Sequence, residues 1–427
     1  MNLAALLVLP LAASTALAQD TSRTAAMDSL TARLRALEAS VEVLQKQLTE
    51  QANNAVQTHS HASMELTGRV VINAFSNERR VNNVDDPQFV RRDTSGGVQQ
   101  GGFGMAVRQT MLGMRTTVPD VAGGTLRGVV DLDFFGGQQP STGGRTFPLL
   151  RLRTAHATLH WTHAEIMAGQ EIPLFSPQNP VSPAAFGTPN FVGSGNLWLW
   201  LPQLRVTGEV GSSVRLALQG AVLAPTSGDA VGAFDTDFDA AEKSRRPYLE
   251  SRVRVRWGVD PTTPMEVGCS GHLGWVNVAA SPRPRPDSLL TSSAFGCDAR
   301  LPFTDWIELR AEAYSGQLTR GLGGGAIGQS IGAGGRPIRN EAAWVQVNVR
   351  PTPVLSGGAG CGIDDPRDAD VLQDANGRLQ NTACAVYAII RPAGPVFIGA
   401  EMRRIETRYV GARFANNHLN LAMGFEF

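Results

Sequence analysis

Within residues 417–427, polar or small side chains alternate strictly with apolar ones from His418 onward, and this pattern constrains the fold more than any other. A period of two over this length predicts a β-strand with one apolar face. In a soluble sheet such a strand would leave an aggregation-prone edge, whereas in a closed membrane barrel it pairs with the first strand. We therefore favour a barrel over an edge strand of a soluble sandwich. The apolar side chains are Leu419, Leu421, Met423, Phe425 and Phe427.

The composition of the 427 residues suits a barrel better than a helical membrane protein. Hydrophobic residues make up 42% and charged residues 18%, there are 46 glycines, and the mean hydropathy is −0.10. The one long apolar run, residues 3–17, is too short to span a bilayer as a helix. The formal net charge is zero, so no overall field attracts nucleic acid, and outer-membrane lipid is the expected surrounding.

Residues 1–18 are predicted to be a signal peptide. The apolar stretch ends in Ala16-Leu17-Ala18, which is a small-x-small cleavage site. Met1 and Asn2 carry no positive charge, which is unusual for an export signal. Export followed by a barrel predicts that the protein lies in the cell outer membrane.

A heptad pattern over residues 19–52 predicts a coiled coil in the periplasm. The spacing of its apolar residues alternates between three and four, as in an a/d seam. A parallel coil requires an oligomer, but the seam does not choose between two and three strands. The polar residues 53–63, with His59 and His61, are predicted to be a linker rather than a metal site. The seam residues are Met27, Leu30, Leu34, Leu37, Val41, Leu44 and Leu48.

From residue 64 to residue 427 the sequence predicts sixteen β-strands. Short turns and long loops alternate between them, which is typical of outer-membrane barrels. The predicted fold class is therefore all-β: a 16-stranded antiparallel transmembrane β-barrel preceded by an N-terminal α-helical coiled coil. In the strand predicted over residues 147–161 the apolar parity changes near Thr154, which predicts a β-bulge.

Arginines are predicted to line the lumen of this barrel. In the strand predicted over residues 247–258, Leu249 and Val253 share one parity and the arginines share the other. A charged side chain on the lipid face would cost ~2–4 kcal/mol near the midplane, so the arginines must face inward. The same parity argument applies to four further arginines. The predicted pore-lining residues are Arg69, Arg151, Arg153, Arg205, Arg252, Arg254 and Arg256.

A long loop over residues 172–195 is predicted to fold into the lumen. It contains no charged residue and is rich in proline and phenylalanine, which favours a packed, rigid loop. A positive wall facing a neutral loop predicts a preference for small anions, because arginine binds carboxylates through two parallel hydrogen bonds. The alternative is that the arginines pair with neighbouring Glu and Asp residues. The predicted constriction-loop residues are Phe175, Pro177, Phe186 and Phe191.

The four cysteines are predicted to form two cross-strand disulfides. Cys361 and Cys384 flank the predicted loop 364–380 almost symmetrically, and Cys269 and Cys297 are each fourteen residues from the centre of their hairpin. Symmetric positions in a hairpin lie opposite each other, within disulfide range. The exported compartment is oxidising, so Cys269–Cys297 and Cys361–Cys384 are the expected pairs. Two pairs of free thiols are the alternative.

No cofactor or metal site is predicted. Residues 235–239 are similar to a calcium loop, but they lack its glycine and its closing glutamate. Nucleophile-elbow, P-loop and Rossmann motifs are not found in a credible context. The sequence therefore predicts a protein that is not an enzyme, although an outer-membrane barrel hydrolase remains an alternative. A structural tether between outer membrane and cell wall is another.

Four segments resemble the DcaP-like trimeric porin family. This resemblance implies a homotrimer, a periplasmic coiled coil and passive uptake of dicarboxylate-like anions, with Arg151 and Arg153 as pore arginines. The four cysteines and the Pro-rich stretch 279–290 depart from the family pattern. The pattern that closes on Phe427 is similar to the signal by which exported barrels reach the barrel-assembly machinery. The segments are residues 108–115, 124–136, 150–153 and 167–170.

Overall fold

The computed structural model describes residues 62–93, 100–137, 146–229, 237–258, 263–277, 289–332, 335–372, 374 and 376–427. The predicted signal peptide (1–18), the predicted coiled coil (19–52) and most of the predicted linker (53–63) lie outside the described residues. Residues 66–427 belong to one compact unit. No helix in the described part of the chain is long and apolar enough to cross a membrane.

One antiparallel sheet of seventeen strands forms this unit. A short α-helix, α1 (Asp368–Val371), and 3-10 turns at Glu242–Ser244, Thr319–Leu322 and Ala326–Gly328 lie in its connections. The strands are β1 (Ser63–Asn77), β2 (Gly102–Ala106), β3 (Met111–Val121), β4 (Gly124–Asp133), β5 (Arg151–His160), β6 (Ala164–Glu171), β7 (Leu201–Val210), β8 (Val214–Leu223), β9 (Tyr248–Trp257), β10 (Met265–Asn277), β11 (Leu289–Thr304), β12 (Ile307–Gln317), β13 (Arg339–Val349), β14 (Leu355–Pro366), β15 (Arg378–Ala393), β16 (Val396–Tyr409) and β17 (Ala412–Glu426).

The sheet closes on itself because β17 pairs with both β16 and β1. In the closing pair, Val70 lies opposite Phe425 and Ala74 lies opposite Leu421. Strands β2 and β3 both pair with β1, so together they make one interrupted strand of the wall. The wall therefore has sixteen strand positions, and the predicted sixteen-stranded antiparallel barrel is confirmed.

The sequence pattern of residues 100–118 predicts one continuous strand, whereas the structure has a break between β2 and β3. At the break, Arg108 turns inward onto Asp85, and Gln109 donates to the carbonyl of Ala184 at 2.8 Å. The side-chain oxygen of Gln109 also accepts from the amide of Phe186 at 2.7 Å. Parity could not reveal this break, because its side chains bind groups on distant loops.

Side chains alternate across the wall as the period-two pattern predicts. On β17, Leu421 and Met423 are exposed on the outside, whereas His418 and Asn420 are fully buried on the inside. The predicted parity change on β5 is also confirmed: Asp131 lies opposite Thr154 and Leu132 opposite Leu152, so Arg153 is an extra residue. This bulge lets Arg151, Arg153 and Thr154 all face the lumen.

The buried core lies inside the barrel, where connecting segments pack against the wall. Phe175 and Leu174 pack against Tyr248 and Tyr314 in one cluster. Phe191 packs with Trp344 in a second cluster. These clusters lie on the inner side of the wall, whereas many apolar side chains of the outer face are exposed.

Candidate functional site

Residues 172–200 are fixed to the inner wall by carboxylates that accept hydrogen bonds from uncharged donors. The amide of Phe175 donates to Glu250 at 3.0 Å, and the amide of Gln178 donates to Glu312 at 2.6 Å. Glu401 accepts from Ser182 at 2.5 Å and from Asn190 at 2.9 Å. A loop without charge can therefore cross a charged lumen, because its backbone, amide and hydroxyl donors bind carboxylates of the wall.

The four residues predicted for the constriction have different environments. Phe175 and Phe191 are buried and pack against Tyr314 and Trp344, so they anchor the loop. Pro177 and Phe186 are partly exposed, and the guanidinium of Arg69 lies 4.0 Å from the centre of the Phe186 ring. An inward arginine therefore covers the Phe186 ring directly.

Backbone carbonyls of the loop contact arginines of β5 and β7. Arg151 donates to the carbonyl of Gly187, and Arg153 donates to the carbonyl of Phe186. Both also bind Asp133, at 2.6 Å and 2.9 Å respectively. These bonds leave two guanidinium groups and one carboxylate beside the loop.

Arg205 of β7 differs from the other predicted arginines in its pairing. It donates to the carbonyl of Ile172 and, at 2.9 Å, to the side-chain oxygen of Gln203. Within the residues that the structure describes, no carboxylate lies within 4.0 Å of it. Its charge is therefore not cancelled by direct contact.

Arg252 faces inward, as the parity of β9 predicts, but only 3% of its side chain is exposed. It binds both oxygens of Asp298, at 2.6 Å and 3.1 Å, and Glu266 at 2.9 Å. Gln178 of the loop donates to the same Asp298 at 3.2 Å. Arg252 thus ties the wall to the loop and lies beneath the loop rather than on an open passage.

Arginines elsewhere on the inner wall share carboxylates in pairs. Glu308 binds Arg300 at 2.7 Å and also Arg310, and Glu426 binds Arg69 at 3.2 Å and Arg391 at 3.0 Å. Most of these side chains are between a fifth and two fifths exposed, so they face a watery lumen. With Asp133, the complete set of shared carboxylates in the described residues is Asp133, Glu209, Glu266, Glu308 and Glu426.

Asp86, in the connection between β1 and β2, is buried against Arg403 of β16. The two side chains are 3.0 Å apart, and Arg403 also binds Glu401 at 2.9 Å. Burial raises the pKa of Asp86 to about 7, and the adjacent Arg403 only partly opposes that shift. This contact joins the β1–β2 connection to the same glutamate that holds residues 182 and 190.

The fold of this chain is similar to the folds of several solved structures. No family model and no curated protein matches the sequence. Among solved structures, the outer membrane channel DcaP of Acinetobacter baumannii is 17% identical, with a TM-score of 0.63, covering 87% of this chain and 99% of that one. The chain has the porin fold. The sequence resemblance is therefore confirmed for the fold.

Two other porins superpose on the same barrel. An anion-selective porin from Comamonas acidovorans is 10% identical, with a TM-score of 0.54, covering 86% of this chain and 100% of that one. OprB of Pseudomonas putida is 10% identical, with a TM-score of 0.54, covering 89% of this chain and 96% of that one. These similarities concern the fold alone.

Two disulfides cross this porin fold on its outer face. Cys269 is bonded to Cys297 with the Cα atoms 4.0 Å apart, and Cys361 is bonded to Cys384 with the Cα atoms 4.1 Å apart. Each pair occupies directly opposed positions of neighbouring strands, β10 with β11 and β14 with β15. The disulfides are thus separate from the lumen and its arginines.

A cluster that the sequence did not reveal lies inside the porin fold, on β9, β10 and β11. His272 is 3.0 Å from Glu250 through Nδ1 and 3.2 Å from the hydroxyl of Ser292 through Nε2. The set has the composition of a hydrolase triad, but Ser292 is 1% exposed and its hydroxyl donates to the carbonyl of Leu318 at 2.9 Å. The hydroxyl is therefore not presented as a nucleophile. Shared inward parity on adjacent strands was the signal that could have found it.

Three histidines of the described residues, His156, His160 and His272, each contact a single carboxylate. Across the described ranges, His, Cys, Asp and Glu side chains form no group of three or more that could hold a metal ion. His156, for example, contacts Glu171 at 2.9 Å.

Proposed function

We propose that this protein is an outer-membrane porin through which small anions, carboxylates in particular, diffuse passively. The observation that carries the proposal is that five inward carboxylates of the described residues are each shared by at least two arginines: Asp133, Glu209, Glu266, Glu308 and Glu426. Around Glu308, for example, two guanidinium groups face one carboxylate, which leaves one positive charge uncancelled. Arginine has five N–H donors, so a shared carboxylate also leaves donors available to a solute.

The partial exposure of these groups makes their surplus positive charge effective. Two unit charges ~4 Å apart interact by ~1 kcal/mol in bulk water and by ~4 kcal/mol at an effective dielectric constant of about 20. A lumen narrowed by residues 172–200 lies between these limits. Such interactions favour anion entry but remain weak enough to allow release, as conduction requires.

Two comparisons support the coarser part of the proposal. DcaP is described as an outer membrane channel, and the Comamonas acidovorans protein is described as an anion-selective porin. In the chain itself, Arg205 adds a cation without a contacting carboxylate to the same lumen. We propose that the barrel lies in the outer membrane and that residues 172–195 form its constriction loop.

The proposed assembly is a homotrimer with a signal peptide at 1–18, a periplasmic coil at 19–52 and a linker at 53–63. The heptad pattern supports an oligomer through the coil. Deleting residues 19–60 after the signal should leave a folded, conducting barrel that trimerises less efficiently. Chemical cross-linking and heat-modified mobility on gels would measure both properties, and loss of the folded barrel would contradict this arrangement.

Reversal potentials in planar bilayers test the selectivity. The parent should conduct and prefer anions. Arg300→Gln with Arg310→Gln should shift the reversal potential toward cations, because Glu308 is then left uncompensated, whereas Glu308→Gln should shift it toward anions. Arg404→Gln, which changes an arginine on the outer face, is the matched control and should leave the potential unchanged.

Several outcomes would contradict the proposal. A parent that forms folded barrels but no channels would favour the structural tether. Cation preference in the parent would show that wall carboxylates dominate the lumen. If the Arg404 control shifts the reversal potential as much as the Arg300 and Arg310 substitutions do, the shared carboxylates do not determine the ion selectivity.

A further inference from the structure

We propose that the arginines that share glutamates form a positively charged vestibule on one side of the constriction loop, and that this vestibule makes anion conduction asymmetric. The inference rests on the proposed anion-conducting pore. Four of the five shared carboxylates lie within two residues of a strand end, at the end of the barrel where the connections are short. In outer-membrane barrels these short turns face the periplasm. The four carboxylates belong to Glu209 of β7, Glu266 of β10, Glu308 of β12 and Glu426 of β17.

The strand register places these glutamates on the short-turn side of the constriction loop. On β12, Glu312 holds the loop, and Glu308 lies four residues nearer the short turn. On β9, Glu250 holds the loop, and Arg256, six residues nearer the short turn, lies opposite Glu266. Each residue rises ~3.3 Å along a strand, so the glutamates lie ~13 Å and ~20 Å farther along the wall than the loop anchors.

The vestibule begins directly at the loop. Arg310, which binds Glu308, also donates to the carbonyl of Asn179 at 2.9 Å. Arg69, which binds Glu426, lies 4.0 Å from the centre of the Phe186 ring. An anion that enters or leaves the constriction on this side therefore meets these arginines at once.

The vestibule carries a surplus of three positive charges. Seven arginines contact its four glutamates, if Arg252 is left out because it is buried and also binds Asp298. Six of the seven side chains are 22–38% exposed, so solutes can reach them. The seven are Arg69, Arg215, Arg254, Arg256, Arg300, Arg310 and Arg391.

Other charged side chains of the described inner wall near the short turns balance one another. Arg115 binds Asp131 at 2.8 Å. Two further arginines and two further glutamates cancel in sign, so the surplus comes from the shared glutamates alone. These four residues are Arg127, Arg350, Glu65 and Glu165.

On the long-loop side of the constriction the balance is different. Arg403 is 3% exposed and binds two carboxylates, those of Asp86 and Glu401. Arg108 is 10% exposed and binds Asp85. Buried arginines that are matched or outnumbered by carboxylates offer little charge to a solute. The exposed surplus of positive charge therefore lies on the short-turn side.

A vestibule of fixed positive charge raises the local concentration of anions at its mouth of the constriction. Anions driven out of the vestibule into the constriction therefore start from a higher concentration than anions driven the other way. We expect a larger anion current when anions enter from the short-turn side. The Debye length is ~10 Å at 0.1 M and ~3 Å at 1 M salt, so the asymmetry should be clear at the lower concentration and fade at the higher one.

Single-channel current–voltage curves of the full-length protein at ~0.1 M and ~1 M salt test the vestibule. A triple variant removes the three surplus charges and leaves every glutamate at least one arginine, so it should conduct with a symmetric curve at low salt. The substitutions are Arg256→Gln, Arg300→Gln and Arg391→Gln.

The matched control removes three arginines from the long-loop end, each of which contacts one carboxylate, and it should keep the asymmetry. Its substitutions are Arg79→Gln, Arg320→Gln and Arg413→Gln. A symmetric parent curve at low salt, or a triple variant as asymmetric as the parent, would overturn the vestibule. Anion preference with a symmetric curve overturns the vestibule alone, whereas a parent that forms no channel contradicts the proposed function on which it rests.

A second measurement decides the matter if the triple variant does not fold. Inorganic tripolyphosphate is added to one chamber at a time, and block of the parent current is recorded at ~0.1 M salt. The half-blocking concentration should be at least about tenfold lower from the short-turn side, because the vestibule concentrates multivalent anions. Glu65→Cys, exposed at the start of β1, identifies that side through its faster reaction with charged thiol reagents. Equal half-blocking concentrations from the two sides would overturn the proposal.

Discussion

At the scale of single residues, the role of an arginine depends more on the side chains it contacts than on whether it faces the lumen. Arg252 and Arg254 both face inward from β9, but Arg252 is bound by Asp298 and Glu266 beneath the loop, with 3% of its side chain exposed. Arg254 is 12% exposed and binds Glu209, which also binds Arg215. A substitution at Arg252 should therefore cost stability, because it leaves buried carboxylates unpaired.

Asp86 supplies a residue-scale prediction of pH dependence. Its pKa is raised from 3.8 to about 7, so between these values the folded protein keeps a proton that the unfolded chain has lost. The free energy of unfolding should therefore fall as pH rises from about 4 to about 7. Asp86→Asn removes this titration, so its stability relative to the parent should increase through the same window.

Urea unfolding in detergent micelles, followed by tryptophan fluorescence at several pH values, measures this difference. Asp93→Asn is the control, because Asp93 is a more exposed acid at the end of the same connection. A difference between Asp86→Asn and the parent that stays constant from pH 4 to pH 7 would show that Asp86 is ionised throughout.

At the scale of elements, the disulfides each stabilise one hairpin from the outer face of the barrel. Cys269–Cys297 spans 28 residues and Cys361–Cys384 spans 23. Loops of this size typically gain about 2–4 kcal/mol from cross-linking, mainly because the unfolded chain is constrained. Reduction should lower the unfolding midpoint without changing ion selectivity, since neither pair faces the lumen. Thiol titration of denatured protein should detect no free thiols before reduction and four after it. Four free thiols before reduction would contradict the pairing.

The wall of the barrel was predictable from sequence, but its contents were not. A period of two, turn residues and the cost of charge in lipid determine strand number, the parity of Arg254 and the bulge at Arg153. Contacts such as Glu250 with Phe175, or Gln109 with Phe186, join residues about 75 positions apart, and no local pattern encodes them. For the same reason the break between β2 and β3 and the His272 cluster appear only in three dimensions.

At the scale of the whole molecule, closure of the barrel and its assembly into the membrane depend on different groups at the same end of the chain. Strand β17 closes the barrel, and Phe427 exchanges hydrogen bonds with Gly68 of β1 at 2.9 Å and 3.0 Å. Phe427 is 55% exposed, and the centre of its ring lies 6.0 Å from that of Phe425. The backbone bonds serve closure, whereas the exposed ring is available to the assembly machinery that we propose recognises it.

Phe427→Ala separates barrel closure from recognition by the assembly machinery, because it keeps the closing backbone bonds and removes only the ring. We expect the amount of folded protein in the outer membrane to fall, whereas protein refolded in detergent should conduct like the parent. Phe295→Ala is the matched control: Phe295 is an outward phenylalanine, 63% exposed, in the middle of β11. Its loss removes similar apolar area from the lipid face without touching the recognition signal. Equal membrane yields for the two variants would mean that Phe427 acts only as apolar surface, and a refolded Phe427→Ala that fails to conduct would assign the ring to barrel closure.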